Sequence, residues 1–165
     1  MKFGLEVLLA GIWAVAAPHS TADIVDTAVA QKYTNFVAGL RAAGLIDTLK
    51  GPGPFTVFVP TNEAFAILPS DEQAFLCSPW RKVQLLDIFK YYVVPGKLSG
   101  QDLAKLASVK TLEGQRIPLV IVDGETMVGK AHLTVTDIET SNGVIHLIDT
   151  VIFPRPVLQD REHSR

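Results

Sequence analysis

The spacing of the hydrophobic residues along this chain changes near its middle. After residue 20 apolar residues recur at helical spacing, as in Ile24, Val25, Ala28 and Val29. From Val109 onward short apolar segments are separated by glycine turns, which is typical of strands. Helices in the first half and strands in the second half predict an α+β fold.

Capping residues and helix breakers mark where the helices begin and end. Ser20 with Asp23 can cap the first helix, Thr34 is expected to cap the second, and Gly44 ends it. A later helix covers residues 80 to about 91, and its apolar residues occupy more than one face. We therefore expect this to be the most buried helix of the domain.

One strand lies apart from the others, between two helices. Residues 55–59 are aromatic or β-branched, the strand ends at Pro60, and Thr61 is placed to cap the next helix. A lone strand would leave its backbone groups unpaired. We therefore expect this strand to join the sheet formed by the second half of the chain.

Three turns separate the later strands, at Glu113-Gly114, Asp123-Gly124 and Asn142-Gly143. The last two pairs are typical of two-residue β-hairpin loops, because both central residues of such a loop need a positive φ angle.

The N-terminal segment has the pattern of a secretory signal peptide. Lys2 precedes an apolar run at residues 7–17, which contains the small-residue sequence Ala14-Val15-Ala16. The run is shorter than the roughly 20 apolar residues that a spanning helix needs. Residues 1–17 are therefore predicted to be a signal peptide; the alternative is an N-terminal helix buried in, or lying on, the domain.

Composition narrows the class of protein. The chain has 165 residues, 48% of them hydrophobic and 19% charged, which fits one globular domain. The net charge of −2 argues against recruitment by nucleic acid or by an anionic membrane. Cys77 is the single cysteine, so an intramolecular disulfide is impossible; we interpret it as a buried apolar residue.

Two segments resemble the two signature segments of fasciclin (FAS1) domains. Residues 55–65 read FTVFVPTNEAF, and residues 141–154 read SNGVIHLIDTVIFP. Residues 89–98 resemble the Tyr-His segment of that family. The resemblance covers residues 21–154 and places Thr61, Phe65, Asn142 and Gly143 at structural positions of the two signatures.

The resemblance implies a fasciclin-like fold, in which a β-sandwich-like wedge of strands packs against a layer of short helices. The fasciclin domain is expected over residues 18–154, followed by a polar C-terminal tail at residues 155–165.

The chain departs from the family at Tyr91-Tyr92, where the family commonly has Tyr-His. In animal members this segment has been linked to integrin binding, and the missing histidine argues against that kind of adhesion here. Tyrosine is common at binding hot spots, so both residues are candidate binding residues. We expect Tyr91 to pack inward and Tyr92 to be the more exposed.

His146 and Asp149 lie in the second signature segment and are the other candidate binding residues. The favoured interpretation of both is hydrogen bonding within the fold, and the alternative is that they line a site.

The four histidines do not pair at metal-ligand spacing, so neither a metal nor a cofactor is expected. No sequence typical of a hydrolase nucleophile, a phosphate loop or a dinucleotide site is present, so we expect no catalytic residues and no enzyme.

The resemblance implies an adhesion or interaction module of the small, secreted, single-domain bacterial type. Its expected partner is a protein or glycan at the cell surface or envelope, with no nucleic acid and no stable membrane anchor. The expected location is secreted, periplasmic or cell-envelope associated. The alternative function is a carrier of a small or hydrophobic ligand, bound in a groove beside the helix at residues 80–91.

Overall fold

The computed structural model describes residues 22–76 and 78–154. The predicted signal peptide, the tail at 155–165, Ser20 and Cys77 lie outside the described residues. The helices are α1 (Ile24–Ala30), α2 (Thr34–Ala43), α3 (Ile46–Leu49), α4 (Asn62–Ala66), α5 (Ser70–Leu76), α6 (Lys82–Lys90, preceded by a 3-10 turn at Pro79–Arg81) and α7 (Gly100–Ala104). The strands are β1 (Phe55–Pro60), β2 (Val93–Pro95), β3 (Ser108–Lys110), β4 (Arg116–Val122), β5 (Glu125–Val128), β6 (Ala131–Thr140) and β7 (Gly143–Ile148).

The strands form one mixed sheet of seven strands in the order β2-β1-β7-β6-β5-β4-β3. β1 runs parallel to β7, from the pair Phe55 and Gly143 to the pair Pro60 and Ile148, and the other neighbours are antiparallel. The predicted α+β fold is therefore confirmed, and so is the expectation that the early strand joins the late sheet.

The two ends of the sheet approach each other. The backbone N–H of Leu112, just after β3, donates to the carbonyl of Val93 in β2 at 2.8 Å. β1 and β7 are interior strands of the sheet, and every residue of β7 is buried. This is the burial expected of strands that are covered on both faces.

Three aromatic rings fill the space between α2, α6 and the chain after α6. The centroid of the Phe36 ring lies 5.7 Å from that of Phe89 and 6.0 Å from that of Tyr92, and the last two centroids are 5.9 Å apart. Gly39 of α2 packs against the Phe89 ring and leaves no room for a side chain. The two helices are therefore closely packed on one face of each.

The expectation that the helix at residues 80–91 is the most buried is wrong. The side chain of Trp80 is 92% exposed and that of Val83 is 76% exposed. Only Leu85, Ile88 and Phe89 of α6 are buried, because α6 packs with one side against α2 and turns its other side to solvent. The helix α2 buries more of its residues, namely Phe36, Val37, Gly39, Leu40 and Ala43.

Of the three predicted helix N-caps, the structure agrees with the sequence at Thr61 only. The Thr61 hydroxyl accepts a hydrogen bond from the Ala64 N–H at 3.2 Å, which confirms the predicted cap of α4. The first helix was expected to open with a Ser20-x-x-Asp23 capping box, but α1 begins at Ile24 and Asp23 is itself the N-cap, accepting from the Asp26 N–H at 2.8 Å. The predicted cap at Thr34 is wrong, because α2 already begins at Thr34 and Tyr33 is its N-cap, without a side-chain bond.

The two hairpin predictions have different outcomes. Asp123 and Gly124 form the two-residue loop between β4 and β5, with φ angles of 53° and 82° as predicted. The loop between β6 and β7 is Ser141-Asn142 rather than Asn142-Gly143, since Thr140 pairs with Gly143. Gly143 belongs to β7, where a side chain would run into the backbone oxygen of Phe55 in the neighbouring strand. The glycine therefore serves close strand approach and not the turn.

Candidate functional site

The expectation that Tyr91 packs inward agrees with its burial, but the expectation that Tyr92 is the more exposed of the two is wrong. Tyr92, expected at the surface, is 1% exposed, and Tyr91 is buried as well. The Tyr92 hydroxyl donates to the carbonyl of Ile152 at 2.6 Å and accepts from the N–H of the same residue at 2.9 Å. Burial raises the pKa of Tyr92, which keeps the hydroxyl protonated and able to donate. The helix α6 ends at Lys90, so the ring of Tyr92 enters the space between α2 and α6 instead of following the helix surface.

His146 is fully buried on β7 and is hydrogen-bonded on both sides of its ring. Its Nδ1 accepts from the N–H of Asp137 at 3.1 Å, and its Nε2 lies 2.7 Å from the carbonyl of Leu98. These partners place the proton on Nε2, because the carbonyl can only accept and the N–H can only donate. Desolvation lowers the pKa of His146, and the bond to Leu98 opposes that effect.

Asp149 is also held by the fold. Its Oδ1 accepts from the backbone N–H of His132 at 2.8 Å and from the Thr150 hydroxyl at 3.0 Å. The structure thus places His146 and Asp149 in two separate sets of hydrogen bonds and does not bring them together into one site. The favoured interpretation of both residues, hydrogen bonding within the fold, agrees with these contacts.

Asn142 joins three parts of the chain through one side chain. Its Oδ1 accepts from the N–H of Ile24 at 3.0 Å, and its Nδ2 donates to the carbonyls of Leu49 and Gly51 at 2.6 and 2.8 Å. Phe65, a residue of the first signature segment, is buried in the core and lies on the helix α4 that Thr61 caps. Each of the four signature residues therefore makes contacts within the fold.

The tip of the β4–β5 hairpin, residues 120–126, begins with three exposed apolar residues that were not predicted from the sequence; we call it the hairpin arm. Val120, Ile121 and Val122 of β4 are 52%, 55% and 41% exposed. Earlier in β4 buried and exposed residues alternate, and Ile117 and Leu119 lie in the core. By strand alternation Ile121 lies on the same face of β4 as Ile117 and Leu119, but at a position past the end of the core. The arm therefore offers apolar side chains on both of its faces.

The pairing of the neighbouring strands explains why the arm is uncovered. β3 pairs with β4 only as far as Pro118, and the β5–β6 pairing begins at Met127. The signal available in the sequence was the unbroken apolar run at 119–122 directly before the Asp123-Gly124 loop. A run of this kind at a hairpin tip needs cover on both faces, and nothing in the sequence shows whether cover is present.

Within residues 22–76 and 78–154, no three histidine, cysteine, aspartate or glutamate side chains come together as a metal site. None of the described helices has the length and apolarity to cross a membrane.

Comparison with known proteins identifies the family. The model of the Fasciclin domain matches residues 31–154. This chain belongs to the fasciclin domain family. The resemblance seen in residues 55–65 and 141–154 is thereby confirmed.

Relatives of this fasciclin domain occur in bacteria and in animals. The chain is 41% identical over 140 residues to Protein sll1483 of Synechocystis sp., a match that covers 84% of this chain and 77% of that protein. It is 34% identical over 126 residues to human periostin, a match that covers 75% of this chain and 15% of periostin.

A solved structure has the same fold. The FAS1 domain pair of the insect cell adhesion molecule Fasciclin I superimposes with a TM-score of 0.73 at 15% identity, covering 83% of this chain and 52% of that one. At this level of identity the similarity concerns the fold alone.

Proposed function

We propose that this fasciclin domain is an extracytoplasmic interaction module that binds a protein or glycan partner at the cell surface or envelope and catalyses no reaction. The observation that carries the proposal is the hairpin arm, with its three successive exposed apolar residues on β4. Single exposed apolar residues are ordinary on a protein surface, whereas a contiguous exposed set is typical of a contact site.

The arm is fixed in position by the sheet from which it extends. At its base the N–H of Gly129 donates to the carbonyl of Pro118 at 2.8 Å, and the N–H of Leu119 donates to Ala107 at 2.9 Å. A surface held in this way loses little conformational entropy when a partner binds. These contacts favour the arm over a mobile loop as the binding surface.

The hydrogen bonds of the buried His146 and Tyr92 and of the half-buried Asp149 support a non-enzymatic function. Both ring nitrogens of His146 face backbone groups, as does the hydroxyl of Tyr92. The carboxylate of Asp149 accepts from a backbone N–H and from a neighbouring hydroxyl. A general acid or base needs access to a substrate proton, and these groups are already engaged in the fold.

The carrier hypothesis has less support. It placed a ligand in a groove beside α6, and the inner side of α6 is occupied by the packed rings of Phe36, Phe89 and Tyr92.

An envelope sedimentation assay tests the function. Protein retained on washed envelope vesicles from the native host is compared for wild type, Val120→Ser and Val29→Ser. Val29 is a matched control because it is also 52% exposed but lies on α1. We expect Val120→Ser to reduce retention by about fivefold or more, equivalent to about 1 kcal/mol of lost apolar contact, and Val29→Ser to bind like wild type.

Treating the vesicles with protease separates protein from glycan partners, because only a glycan would retain the domain after digestion. If wild-type protein is not retained on untreated vesicles, the proposed function is wrong. Location is tested separately by the intact mass of protein recovered from the host. Loss of residues 1–17 is expected on export, and a full-length cytoplasmic species would contradict it.

A further inference from the structure

The open side of β4 offers backbone hydrogen-bonding groups as well as apolar side chains. Two backbone hydrogen bonds fix the side of the strand toward which each residue of β4 bonds. The Pro118 carbonyl accepts from Gly129 on the β5 side, and the Leu119 N–H donates to Ala107 on the opposite side. Successive residues of a strand alternate between the two sides.

By this alternation the backbone groups of Val120 and Val122 face β5 and those of Ile121 face away from it. The tight Asp123-Gly124 loop agrees, because the pair that flanks a two-residue loop, Val122 and Glu125, bonds across the hairpin. Beyond Leu119, β3 no longer accompanies β4, since Lys105 is bonded into the end of α7 through its N–H to the Asp102 carbonyl. Among the hydrogen bonds of the described residues, none pairs Ile121 on this open side.

We infer that the open side of the hairpin arm binds an extended, apolar peptide segment of a partner protein by strand addition beside Ile121. This inference rests on the proposed function and names its binding site and the chemistry of its partner. In strand addition, main-chain hydrogen bonds supply affinity, and the side chains that alternate above and below the strand supply selectivity. The arm has both features, because Ile121 points to one face and Val120 and Val122 to the other.

The charges near the tip indicate what the partner carries beside its apolar residues. Glu125 lies 3.2 Å from the His132 ring nitrogen, whereas Asp123 is exposed and forms no ion pair among the described residues. A cationic side chain at the end of the added strand that lies next to the loop would complement Asp123. The partner segment is therefore apolar, extended and basic at one end.

The size of the edge favours a peptide over a second copy of this chain. A stable interface buries about 800 Å² on each partner, and a few residues of one strand fall short of that area. A helical face is less suited to this kind of partner: Trp80 and Val83 are more exposed than the arm, but their backbone lies in a helical segment and offers no open strand edge.

The test uses a synthetic peptide of alternating valine and threonine residues that ends in arginine, with a fluorescent label for binding measurements. The full chain is compared with Ile121→Pro and Ile121→Thr. Proline removes the outward N–H and leaves the hairpin ladder intact, because that N–H does not face β5; threonine keeps the N–H and the β-branched shape. Circular dichroism and the urea midpoint confirm that each variant is folded.

We expect Ile121→Pro to weaken peptide binding roughly tenfold or more, Ile121→Thr to weaken it less, and N-methylation of alternate peptide amides to abolish it. Asp123→Asn keeps the Asn-Gly type of loop and should weaken only the arginine-ended peptide. Equal binding by wild type and Ile121→Pro would overturn the inference, as would concentration-dependent self-association that Ile121→Pro abolishes while the peptide does not bind.

The envelope assay distinguishes the two failures. If Val120→Ser lowers envelope retention but Ile121→Pro does not, the interaction module stands and strand addition is wrong. If wild type binds neither the envelope nor the peptide, both proposals are wrong.

Discussion

The hydroxyl of Tyr92 makes two hydrogen bonds with the backbone of Ile152, donating to its carbonyl at 2.6 Å and accepting from its N–H at 2.9 Å. The two residues are 60 positions apart in sequence. This contact fastens the chain after β7 to the packed rings between α2 and α6. It assigns a structural role to the position where this fasciclin domain departs from the Tyr-His pattern.

Tyr92→Phe should therefore destabilise the domain. The substitution keeps the ring but leaves the buried N–H and carbonyl of Ile152 unpaired, at a cost of about 1–3 kcal/mol. Urea unfolding measures the change, with Tyr33→Phe as the control because Tyr33 is only partly buried and its hydroxyl makes no bond found among the described residues. A Tyr92→Phe midpoint equal to that of the control would show that the hydroxyl contributes nothing.

The loss of a helix cap can be measured at Thr61 with a matched control at Thr34. Thr61→Ala removes the side-chain acceptor for the Ala64 N–H and should cost about 0.5–2 kcal/mol. Thr34→Ala should be neutral or slightly stabilising, because Thr34 does not cap α2 and alanine has the higher helix propensity. The urea midpoints of the two variants decide the matter, and a larger loss at Thr34 would contradict the assigned caps.

Asn142 should be more costly to replace than a typical surface amide. Asn142→Ala removes the partners of the Ile24 N–H and of the Leu49 carbonyl, and one of the two donors to the Gly51 carbonyl, and we expect a loss of about 1–3 kcal/mol. Asn35→Ala provides the comparison, because no hydrogen bond of its side-chain amide is found among the described residues. Hydrogen exchange should also show faster opening of α1, since the first N–H of that helix loses its acceptor. Unchanged exchange at Ile24 would contradict this role.

The stability of the domain should depend on pH through His146. Its pKa is lowered in the folded state, chiefly by desolvation, whereas an unfolded chain has a histidine pKa of about 6.5. Between these two values the folded protein binds fewer protons than the unfolded chain. The free energy of unfolding is therefore expected to fall as the pH drops below about 6.5, by at most about 1.4 kcal/mol per pH unit.

The hydrogen bonds of His146 also predict a loss of stability on protonation. A protonated Nδ1 would face the N–H of Asp137 and could no longer accept a hydrogen bond from it. The Asp137 and Glu139 carboxylates oppose the effect but are smaller causes than desolvation. Urea midpoints of wild type and His146→Asn across this pH range measure the contribution. Parallel pH profiles for the two proteins would show that His146 does not titrate between the folded and unfolded states.

The features that the sequence predicted well depend on neighbouring residues. The strand at residues 55–59 and the Thr61 cap are local patterns, and β1 and α4 begin where those patterns place them. The Asp123-Gly124 loop also follows from two adjacent residues. The α+β order and the pairing of β1 with the late strands required one more argument, that a strand needs a partner.

Several of the predictions that failed depend on distant residues. The orientation of Tyr92 is set by Ile152, and Gly143 is required by the approach of Phe55 from β1. The hairpin arm is uncovered because β3 pairs no farther than Pro118. These long-range contacts cannot be predicted from the residues next to Tyr92, Gly143 or the hairpin arm in the sequence. The candidate site was therefore visible only in the structure.

Site-specific photo-crosslinking on the host envelope tests most directly the central claim that the hairpin arm is the binding surface. A photoreactive side chain replaces Val122 on the arm, Val29 on α1 or Val83 on α6, which are all exposed apolar positions. We expect a discrete crosslinked product from position 122 and none from positions 29 and 83. A product from position 29 or 83 with none from position 122 would contradict the account, because it would place the partner on the helical side of the domain.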